Sequence, residues 1–357
     1  MRVLVANGLG NATLRSCLEA LLTAAPEWEP DLHVIRERGT REATWNAGLD
    51  QMGRDEDVLF LGDDVLLTPG FREAVERGAA AADVVGLCTL DVGSQRVQDC
   101  GYGLARIDGR VTVEALERGR DRRQVPAFGV RSCDAVCGCL FFVKAAVLER
   151  VRRFRPEGMN RWGELIFALE ARRLGARIAV VDHFVHHAGV GSKQKSDPAL
   201  SSTSWTTERQ LFERLVDRFV APDWITSERH TAASASLERF LAGPGPLVLY
   251  GAGSVAETLL ARRDFPHERT TLCSGLAEEA GRSFHGHTIV PVADAPLARA
   301  DRILVTPLHR GDKIARQVLA PLLAPDFGGV LAAIEREVDS GDPTVERLGL
   351  REITLPA

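Results

Sequence analysis

Short apolar runs alternate with helix-patterned segments along most of the chain, and this alternation constrains the fold more than any other feature. In the first half the order is RVLVAN, the helix pattern ATLRSCLEALLTAA, DLHVIRE, the helix pattern REATWNAGLDQM and DVLFLG. Such alternation is typical of βαβ units around a mainly parallel sheet. The sequence therefore predicts an α/β fold.

A second alternating series begins at PLVLYGAGSVAETLLARR and continues through HTIVPV, DRILVTP and GGVLAAI. The chain has 357 residues, more than one hydrophobic core usually serves, and the turn-rich AGPGP separates the two series. We predict an N-terminal α/β domain over residues 1–200, a helical linker over 201–243, a smaller Rossmann-like α/β domain over 244–338 and a C-terminal tail over 339–357.

Charge and hydropathy narrow the classes of partner. The formal net charge is −5, so the chain lacks the global basic field that attracts nucleic acid or anionic lipid. No segment approaches membrane-spanning length, and the opening MRVLVANG is typical of a strand and not of a basic, apolar leader. We expect a cytoplasmic protein with no transmembrane segment and no nucleic-acid partner.

The seven cysteines are odd in number and come with no export signal, which favours reduced thiols over a disulfide framework. The closest group, Cys133, Cys137 and Cys139, lies in the apolar run DAVCGCLFFV. That run is typical of a core strand and has no second pair of metal ligands nearby. Packing is therefore the preferred interpretation of these cysteines, and a zinc site is the alternative.

Two acids, Asp63 and Asp64, follow directly after the apolar run VLFLG. Ligands of parallel sheets bind outside the carboxyl ends of the strands, which is where these acids are expected. Adjacent carboxylates repel each other unless a cation neutralises them, and hard divalent ions take carboxylate oxygens. An exposed turn or a helix N-cap before PGF is the alternative interpretation.

The order of motifs over roughly residues 1–195 resembles the family 2 GT-A glycosyltransferases, especially the rhamnosyltransferase-like members. VLVANGLGNATLRSCLEALL resembles the opening strand, loop and helix of that family, and TWNAGLD and LFLGDDVLLTPGF resemble two of its later motifs. The resemblance implies a GT-A nucleotide-diphospho-sugar transferase fold with Mg²⁺ or Mn²⁺ as cofactor. It also implies that Asp64 binds the metal ion and that Asn7, Asn46 and Asp63 bind the substrate.

The segment NRWGELIFALEARRLGARIAVV resembles the part of the family that carries its catalytic base, and Glu164 falls on that acid. Gly163 and Ile166 stand where relatives often have further acids. On the same resemblance, with CGCLFFVKAAVLERV as a related motif, we assign Gly138 and Trp162 to substrate binding. An acid in the first turn of a helix, favoured by the helix dipole, is the alternative for Glu164.

The segment DHFVHHAGVGS resembles the strand-end histidine and loop that complete the metal site of the family. The sequence does not separate His186 from His187, and we assign both to the metal. The turn VIRERGT departs from the Asp-Asn-x-Ser type turn by which relatives bind the nucleotide base. We assign Glu37 to this role.

In the second series, YGAGSV places Gly251, Gly253 and Ser254 between a predicted strand and a helix, a context in which backbone N–H groups bind phosphate. The following strand, TTLCSG, lacks the acid that binds the ribose of a dinucleotide. We therefore expect a mononucleotide or a sugar phosphate here and no dinucleotide. A structural role, or one in forming a homo-oligomer, is the alternative.

Together these features predict an inverting glycosyltransferase that moves a sugar from a nucleotide-diphosphate donor to a hydroxyl group of a glycan or small-molecule acceptor. Two alternatives stay open. One is a non-catalytic scaffold that binds a sugar nucleotide. The other is a nucleotidyltransferase, which needs a basic glycine loop after the first strand, where ANGLGNATLR offers only Arg15.

Overall fold

The computed structural model describes residues 1–7, 11–36, 40–155, 162–188, 212, 215–216, 218–225, 228–307, 311–323, 327–336 and 345–355. The chain is a mixed α/β protein, as predicted, and it divides into two compact units. The first comprises Met1–Ala105 and most of residues 110–226, and the second comprises Ser227–Ala357 with two short stretches, Arg106–Gly109 being one of them. Within the described residues, no helix is both long and apolar enough to cross a bilayer.

The first unit is built from eleven strands and five α-helices among its described residues. The strands are β1 Arg2–Asn7, β2 Leu32–Arg36, β3 Val58–Gly62, β4 Val65–Leu66, β5 Val84–Asp91, β6 Val97–Asp99, β7 Tyr102–Ile107, β8 Arg110–Ala115, β9 Val130–Ser132, β10 Leu140–Val143 and β11 Ile178–His187. The helices are α1 Asn11–Ala24, α2 Arg41–Met52, α3 Phe71–Ala81, α4 Ala145–Val151 and α5 Gly163–Arg173.

The main sheet of the first unit has the order β2-β1-β3-β10-β5-β11-β4, with β6 beside β5 and β9 beside β11. Strands β1, β2, β3, β5 and β11 run in one direction, and β10 runs against them. Because Leu140 pairs with Leu61, β10 starts where β3 ends. The ends of β1, β3, β5 and β11 and the start of β10 therefore share one border of the sheet, which we call the carboxyl edge.

Strand β3 is buried on both faces of the sheet, which explains its continuous apolar sequence. On one face Phe60 stacks on Phe141 with ring centroids 4.8 Å apart, and Trp45 meets Phe60 edge-on. On the other face Leu59 and Leu61 pack within a second apolar cluster. These two layers fix the position of the carboxyl edge.

Strand β11 contains an irregularity: its register against β5 shifts between Val181 and Phe184. The hydroxyl of Thr68 donates a hydrogen bond to the carbonyl oxygen of Phe184 at 2.7 Å and lies 2.8 Å from Nε2 of His183. The side chains keep their alternation across it, because Ile178, Val180 and Phe184 lie in one apolar cluster and Ala179, Val181 and Val185 lie in the other. By the same alternation, His186 and His187 are on opposite faces of the sheet.

The second unit contains strands β12 Glu228–Ala233, β13 Leu247–Tyr250, β14 Thr270–Ser274, β15 Ser283–Phe284, β16 His287–Thr288, β17 Val290–Pro291, β18 Arg302–Val305, β19 Val330–Arg336 and β20 Val345–Glu352. Its α-helices are α6 Ala235–Ala242, α7 Ser254–Leu260 and α8 Gly311–Ile314. Strands β17-β14-β13-β18-β19 are parallel neighbours, which matches five strands of the 3-2-1-4-5-6 order of a Rossmann fold.

Two segments differ from the sequence-based expectation. Within the predicted helical linker, residues 228–233 form β12, which pairs in parallel with β20 through Ala233 and Leu348. Within the predicted tail, β20 pairs antiparallel with β19. The partner of β12 lies more than 100 residues later in the sequence, so local patterns do not predict this pairing.

Candidate functional site

The acid pair is held between two strands at the carboxyl edge. The backbone N–H of Asp63 donates to the carbonyl oxygen of Ala6 at 3.2 Å, at the end of β1. The chain then turns into β4, which pairs with the end of β11, and the N–H of Ala188 donates to the carbonyl oxygen of Asp64 at 2.9 Å. Both acidic side chains are mostly buried. Folding thus brings Asp64 to the last residue of β11.

His187 is that last residue, and its Nε2 lies 3.3 Å from Oδ2 of Asp64. Burial acts to lower the pKa of His187, but the electrostatic effect of Cys139 and the hydrogen bond to Asp64 raise that pKa to about 9. Burial acts to raise the pKa of Asp64, but the hydrogen bond from His187 and the charge of Arg41 lower it. The two side chains therefore form an ion pair in the absence of a metal ion.

His186 lies on the same strand opposite Leu66, and its Nδ1 is buried without a hydrogen-bond partner. The geometry separates the two histidines that the sequence left together, because His187 is the one whose ring meets Asp64. No contact between the ring of His186 and Asp64 supports the assignment of His186 to the same ion.

Two thiols lie at the same place. The Sγ atoms of Cys137 and Cys139 are 3.4 Å apart, and both lie within 4.8 Å of a ring nitrogen of His187. The prediction of a core strand is wrong for these two residues, because β10 begins only at Leu140 and they form the turn before it. The hydrogen bond from Cys137 lowers the pKa of the Cys139 thiol and raises that of Cys137.

Glu164 is in the first turn of α5, and its side chain is almost fully buried. Its Oε2 has no hydrogen-bond partner, and its Oε1 lies 3.9 Å from a guanidinium nitrogen of Arg41. A Cβ atom at Gly138 would come within 2.6–2.8 Å of the Glu164 carboxyl group. Burial raises the pKa of Glu164, and the charge of Arg41 opposes that shift. Gly138 is thus required for the position of this carboxylate.

Arg41 and Glu42 were missed by the sequence analysis and begin α2, whose N-cap is Thr40. Glu42 is completely buried, and neither carboxyl oxygen has a hydrogen-bond partner. Its carboxyl group fills the space beside Gly163, where a Cβ would lie 2.3–2.5 Å from it. Burial and the charge of Glu164 raise the pKa of Glu42 to about 8. The available signal was a charged pair that directly follows an N-cap threonine.

The side chain of Asn46 is hydrogen-bonded within the protein. Its Nδ2 donates to the carbonyl oxygen of Phe154 at 2.7 Å, and the N–H of Phe154 donates to its Oδ1 at 2.9 Å. The side chain is buried, and both ends of its amide are used in holding the segment that follows α4. These contacts favour a scaffolding role for Asn46, and its assignment to substrate binding stays a prediction.

The remaining predicted substrate residues have different positions. Asn7 ends β1 at the carboxyl edge, and Trp162 is the N-cap of α5 with its ring 5.2 Å from that of Phe212. Glu37 lies outside the described residues. The binding roles of Asn7, Asp63, Gly138 and Trp162 stay predictions.

No protein-family model matches the chain, and no curated protein matches its sequence. Among solved structures, GalNAc-T7 with UDP, GalNAc and Mn²⁺ is 12% identical and has a TM-score of 0.42, over 60% of this chain and 48% of that chain. TarS of S. aureus with UDP-GlcNAc is 17% identical with a TM-score of 0.35, over 57% of this chain and 62% of that chain. The bifunctional IspDF from Campylobacter jejuni is 11% identical with a TM-score of 0.30, over 51% and 49%.

These matches span less than two thirds of each of the three chains. The first two proteins are GT-A glycosyltransferases, so this chain has distant structural neighbours in that class. At such TM-scores the likeness carries no argument about what this chain binds or transfers.

In the second unit, the turn after β13 is fixed to the residue after β18. The N–H of Gly251 donates to the carbonyl oxygen of Cys273 at 2.8 Å, and the hydroxyl of Thr306 lies 3.0 Å from the carbonyl oxygens of Tyr250 and Gly251. Gly251 has φ +99°, which favours glycine. Gly253 is the N-cap of α7, and Ser254 begins that helix.

Strand β14 ends at Ser274, whose Oγ accepts the N–H of Leu276 at 3.1 Å. The nearest following acid that is buried is Glu279, which comes after the strand has ended. A cavity of about 310 Å³ in this unit is lined by Thr231, Glu238 and Arg262 among others, away from the glycine turn. Ligand binding by Gly251, Gly253 and Ser254 therefore stays a prediction.

Proposed function

We propose that the first unit is a glycosyltransferase that moves a sugar from a nucleotide-diphosphate donor to a hydroxyl acceptor with inversion at the anomeric carbon. One observation carries the proposal. At the carboxyl edge, the Asp64–His187 pair lies near a buried carboxylate, Glu164, that has an unpartnered oxygen, and Arg41 acts electrostatically on both acids. Unpartnered buried oxygens are rare in native proteins and call for a functional explanation.

The side chains present fit a divalent cation in part. The carboxylates of Asp63 and Asp64 are the oxygen donors that Mg²⁺ and Mn²⁺ prefer, and His187 supplies a nitrogen. Asp64 and His187, with Asp63, would hold the cation. When bound, such a cation supplies positive charge to the departing diphosphate.

Glu164 is the proposed general base. Its Oε2 is free to accept the proton of an acceptor hydroxyl, and burial raises its pKa toward the working pH, where a base is most effective. The packing of Gly138 against the Glu164 carboxyl group restricts its position. A base held in place in this way removes the acceptor proton as the new glycosidic bond forms.

Arg41 and Glu42 are proposed to position Glu164. A guanidinium nitrogen of Arg41, 3.9 Å from Oε1 of Glu164, partly neutralises the charge of that carboxylate. Glu42 packs against Gly163 at the start of α5. With its pKa at about 8, Glu42 is mostly protonated at neutral pH. Glu42 therefore adds little like-charge repulsion beside the base.

The test is product analysis with the full chain, a panel of UDP-, GDP- and dTDP-sugars, and Mg²⁺, Mn²⁺ or Zn²⁺. We expect release of the nucleoside diphosphate in the presence of a divalent cation, and loss of that release with EDTA. Asp64→Asn removes the carboxylate next to His187, and Asp50→Asn, on an exposed helical residue, is the matched control.

The products also decide between the alternatives. Release of pyrophosphate in place of a nucleoside diphosphate contradicts glycosyl transfer and supports a nucleotidyltransferase. Donor binding without any turnover, across acceptors that include glycans and small alcohols, supports the non-catalytic scaffold and also contradicts the proposal.

A further inference from the structure

The turn that precedes β10 brings two thiols to an imidazole. Cys137, Cys139 and His187 offer one ligand atom each, and all three atoms lie within 4.8 Å of one another. We propose that these residues form a three-ligand site for a thiophilic divalent cation of the Zn²⁺ class, with the fourth position left to an exogenous ligand. The proposal concerns binding, and it holds whether or not the chain transfers sugars.

The distance between the two sulfur atoms is close to the distance expected around a tetrahedral zinc ion. Zn–S bonds of about 2.3 Å and Zn–N bonds of about 2.0 Å imply S···S and S···N separations of about 3.8 and 3.5 Å. The Sγ atoms of Cys137 and Cys139 are 3.4 Å apart, so they need to separate by only a few tenths of an ångström. Rotation about the side-chain bonds of a cysteine suffices for such a change.

His187 is oriented as a metal ligand. The Nε2 of Gln98 donates to Oδ1 of Asp91 at 2.8 Å and to the carbonyl oxygen of His187 at 2.9 Å, which fixes the direction of its amide. The Oε1 of Gln98 therefore faces Nδ1 of His187 at 2.8 Å, and Nδ1 must be the donor. A hydrogen bond at the second ring nitrogen is the usual support of a ligating histidine. It leaves Nε2, beside Asp64, for the cation.

The turn itself is anchored by contacts on both sides of Gly138. The N–H of Gly62 donates to the carbonyl oxygen of Cys139 at 2.7 Å, and the side chain of Glu164 packs against Gly138. These contacts fix the backbone between the two cysteines before any ion arrives. Little conformational entropy is then lost on binding, which favours affinity.

The donor set also indicates which ion is preferred. Thiolates select Zn²⁺ and similar ions, whereas Mg²⁺ demands oxygen ligands in octahedral geometry. Three protein ligands with a free position are typical of catalytic zinc, while structural zinc has four. Asp64, 3.3 Å from Nε2 of His187, is available to the cation or to a water molecule bound to it.

The test is a titration of the reduced, metal-free full chain with Co²⁺, followed by competition with Zn²⁺. We expect one equivalent of Co²⁺ to give the ultraviolet band of thiolate-to-cobalt charge transfer, and Zn²⁺ to abolish that band. Mg²⁺ would share His187 with this ion under the proposed function, but because it prefers oxygen ligands a large excess of Mg²⁺ should not displace Co²⁺ from the thiolates. Cys137→Ala and Cys139→Ala should each weaken binding at least about 100-fold, more than loss of a supporting residue typically does.

Cys133→Ala is the matched control, because it removes a buried thiol from the same stretch of chain but outside the group of three ligands. It should bind Co²⁺ like the unmodified protein. Circular dichroism establishes that each variant is folded. Binding of Co²⁺ without the charge-transfer band, equal Zn²⁺ affinity in the Cys137→Ala/Cys139→Ala double variant, or no binding by the unmodified protein would each overturn the proposal.

Discussion

The two units share a parallel sheet but differ in what they place at its carboxyl edge. In the first unit, Asp64, His187 and Glu164 lie at that edge together with two thiols. In the second unit, the corresponding strand ends carry a glycine turn and the hydroxyls of Thr306 and Ser274, which are used by the backbone. The same kind of topology therefore supports different chemistry in the two places.

The difference is clearest in the polar atoms that folding leaves without partners. Both carboxyl oxygens of Glu42, Oε2 of Glu164 and Nδ1 of His186 are buried and unpaired in the first unit. Each such group costs about 1–3 kcal/mol. At the glycine turn of the second unit, the side-chain hydroxyls hold the turn together. Buried atoms without partners also occur elsewhere among the described residues, Nε of Arg302 in the second unit being one, but this edge holds four of them.

The largest effect that sharpens this comparison is expected from Glu164→Gln. Loss of a general base typically lowers turnover about 10²- to 10⁴-fold, while donor affinity should stay unchanged. Glu170→Gln, on the same helix but paired with Arg155, is the control and should keep full activity. Steady-state kinetics of transfer checks both variants, and normal turnover by Glu164→Gln would exclude this residue as the base.

Asn46→Ala is expected to act on stability instead. It leaves the N–H and the carbonyl of Phe154 without partners, at a cost of about 1–3 kcal/mol for each. Asn46→Asp keeps an acceptor for the N–H but sets a buried carboxylate against the carbonyl oxygen of Phe154, so it should lose stability as well. Chemical denaturation measures the free energy of unfolding. If Asn46→Ala is as stable as the unmodified protein but binds the donor more weakly, Asn46 is a substrate-binding residue.

The buried Glu42 predicts a dependence of stability on pH. Its pKa is about 8 in the folded state against about 4.3 in an unfolded chain, so the folded protein holds a proton that the unfolded chain has released between these values. The free energy of unfolding from this group should therefore fall as pH rises from 4.5 to 8. Glu42→Gln should flatten the curve measured by denaturation, and an unchanged slope would contradict this assignment.

The smallest effect is expected in the second unit, where NAD and NADP should not bind at micromolar concentration. The end of β14 offers Ser274 in place of an acid, and loss of one charge-assisted hydrogen bond typically costs about 1.5–3 kcal/mol. Calorimetry with the full chain checks this. Micromolar binding that Gly253→Ala abolishes would make the second unit a dinucleotide site and remove the contrast between the two edges.

Much of the architecture could be predicted from local patterns, but the site could not be completed from them. The alternation of strands and helices predicted the α/β class, and VLFLG placed Asp63 and Asp64 after a buried strand. Which of His186 and His187 meets Asp64 depends on the pairing of β11 with β4, which sequence periodicity does not reveal. The role of Cys137 and Cys139 depends on where β10 starts, and that is set by its pairing with β3.

Arg41 and Glu42 teach the same lesson. Nothing in their immediate sequence indicates that α2 begins beside α5, and the closeness of Glu42 to Gly163 arises only from tertiary packing. Residues whose side chains are able to catalyse a reaction or bind a metal can be recognised in a sequence. Strand register and helix positions, which involve distant parts of the chain, decide which of these residues come into contact.

The most direct test of the central claim is calorimetric binding of nucleoside diphosphates to the full chain, with and without a divalent cation, in the unmodified protein, Asp64→Asn and Gly253→Ala. Gly253 has φ −96°, so alanine introduces no backbone strain. We expect one cation-dependent site that Asp64→Asn weakens at least about tenfold, or 1.4 kcal/mol, and that Gly253→Ala leaves intact. Unchanged affinity in Asp64→Asn, or loss of binding in Gly253→Ala, would contradict a nucleotide site at the carboxyl edge of the first unit.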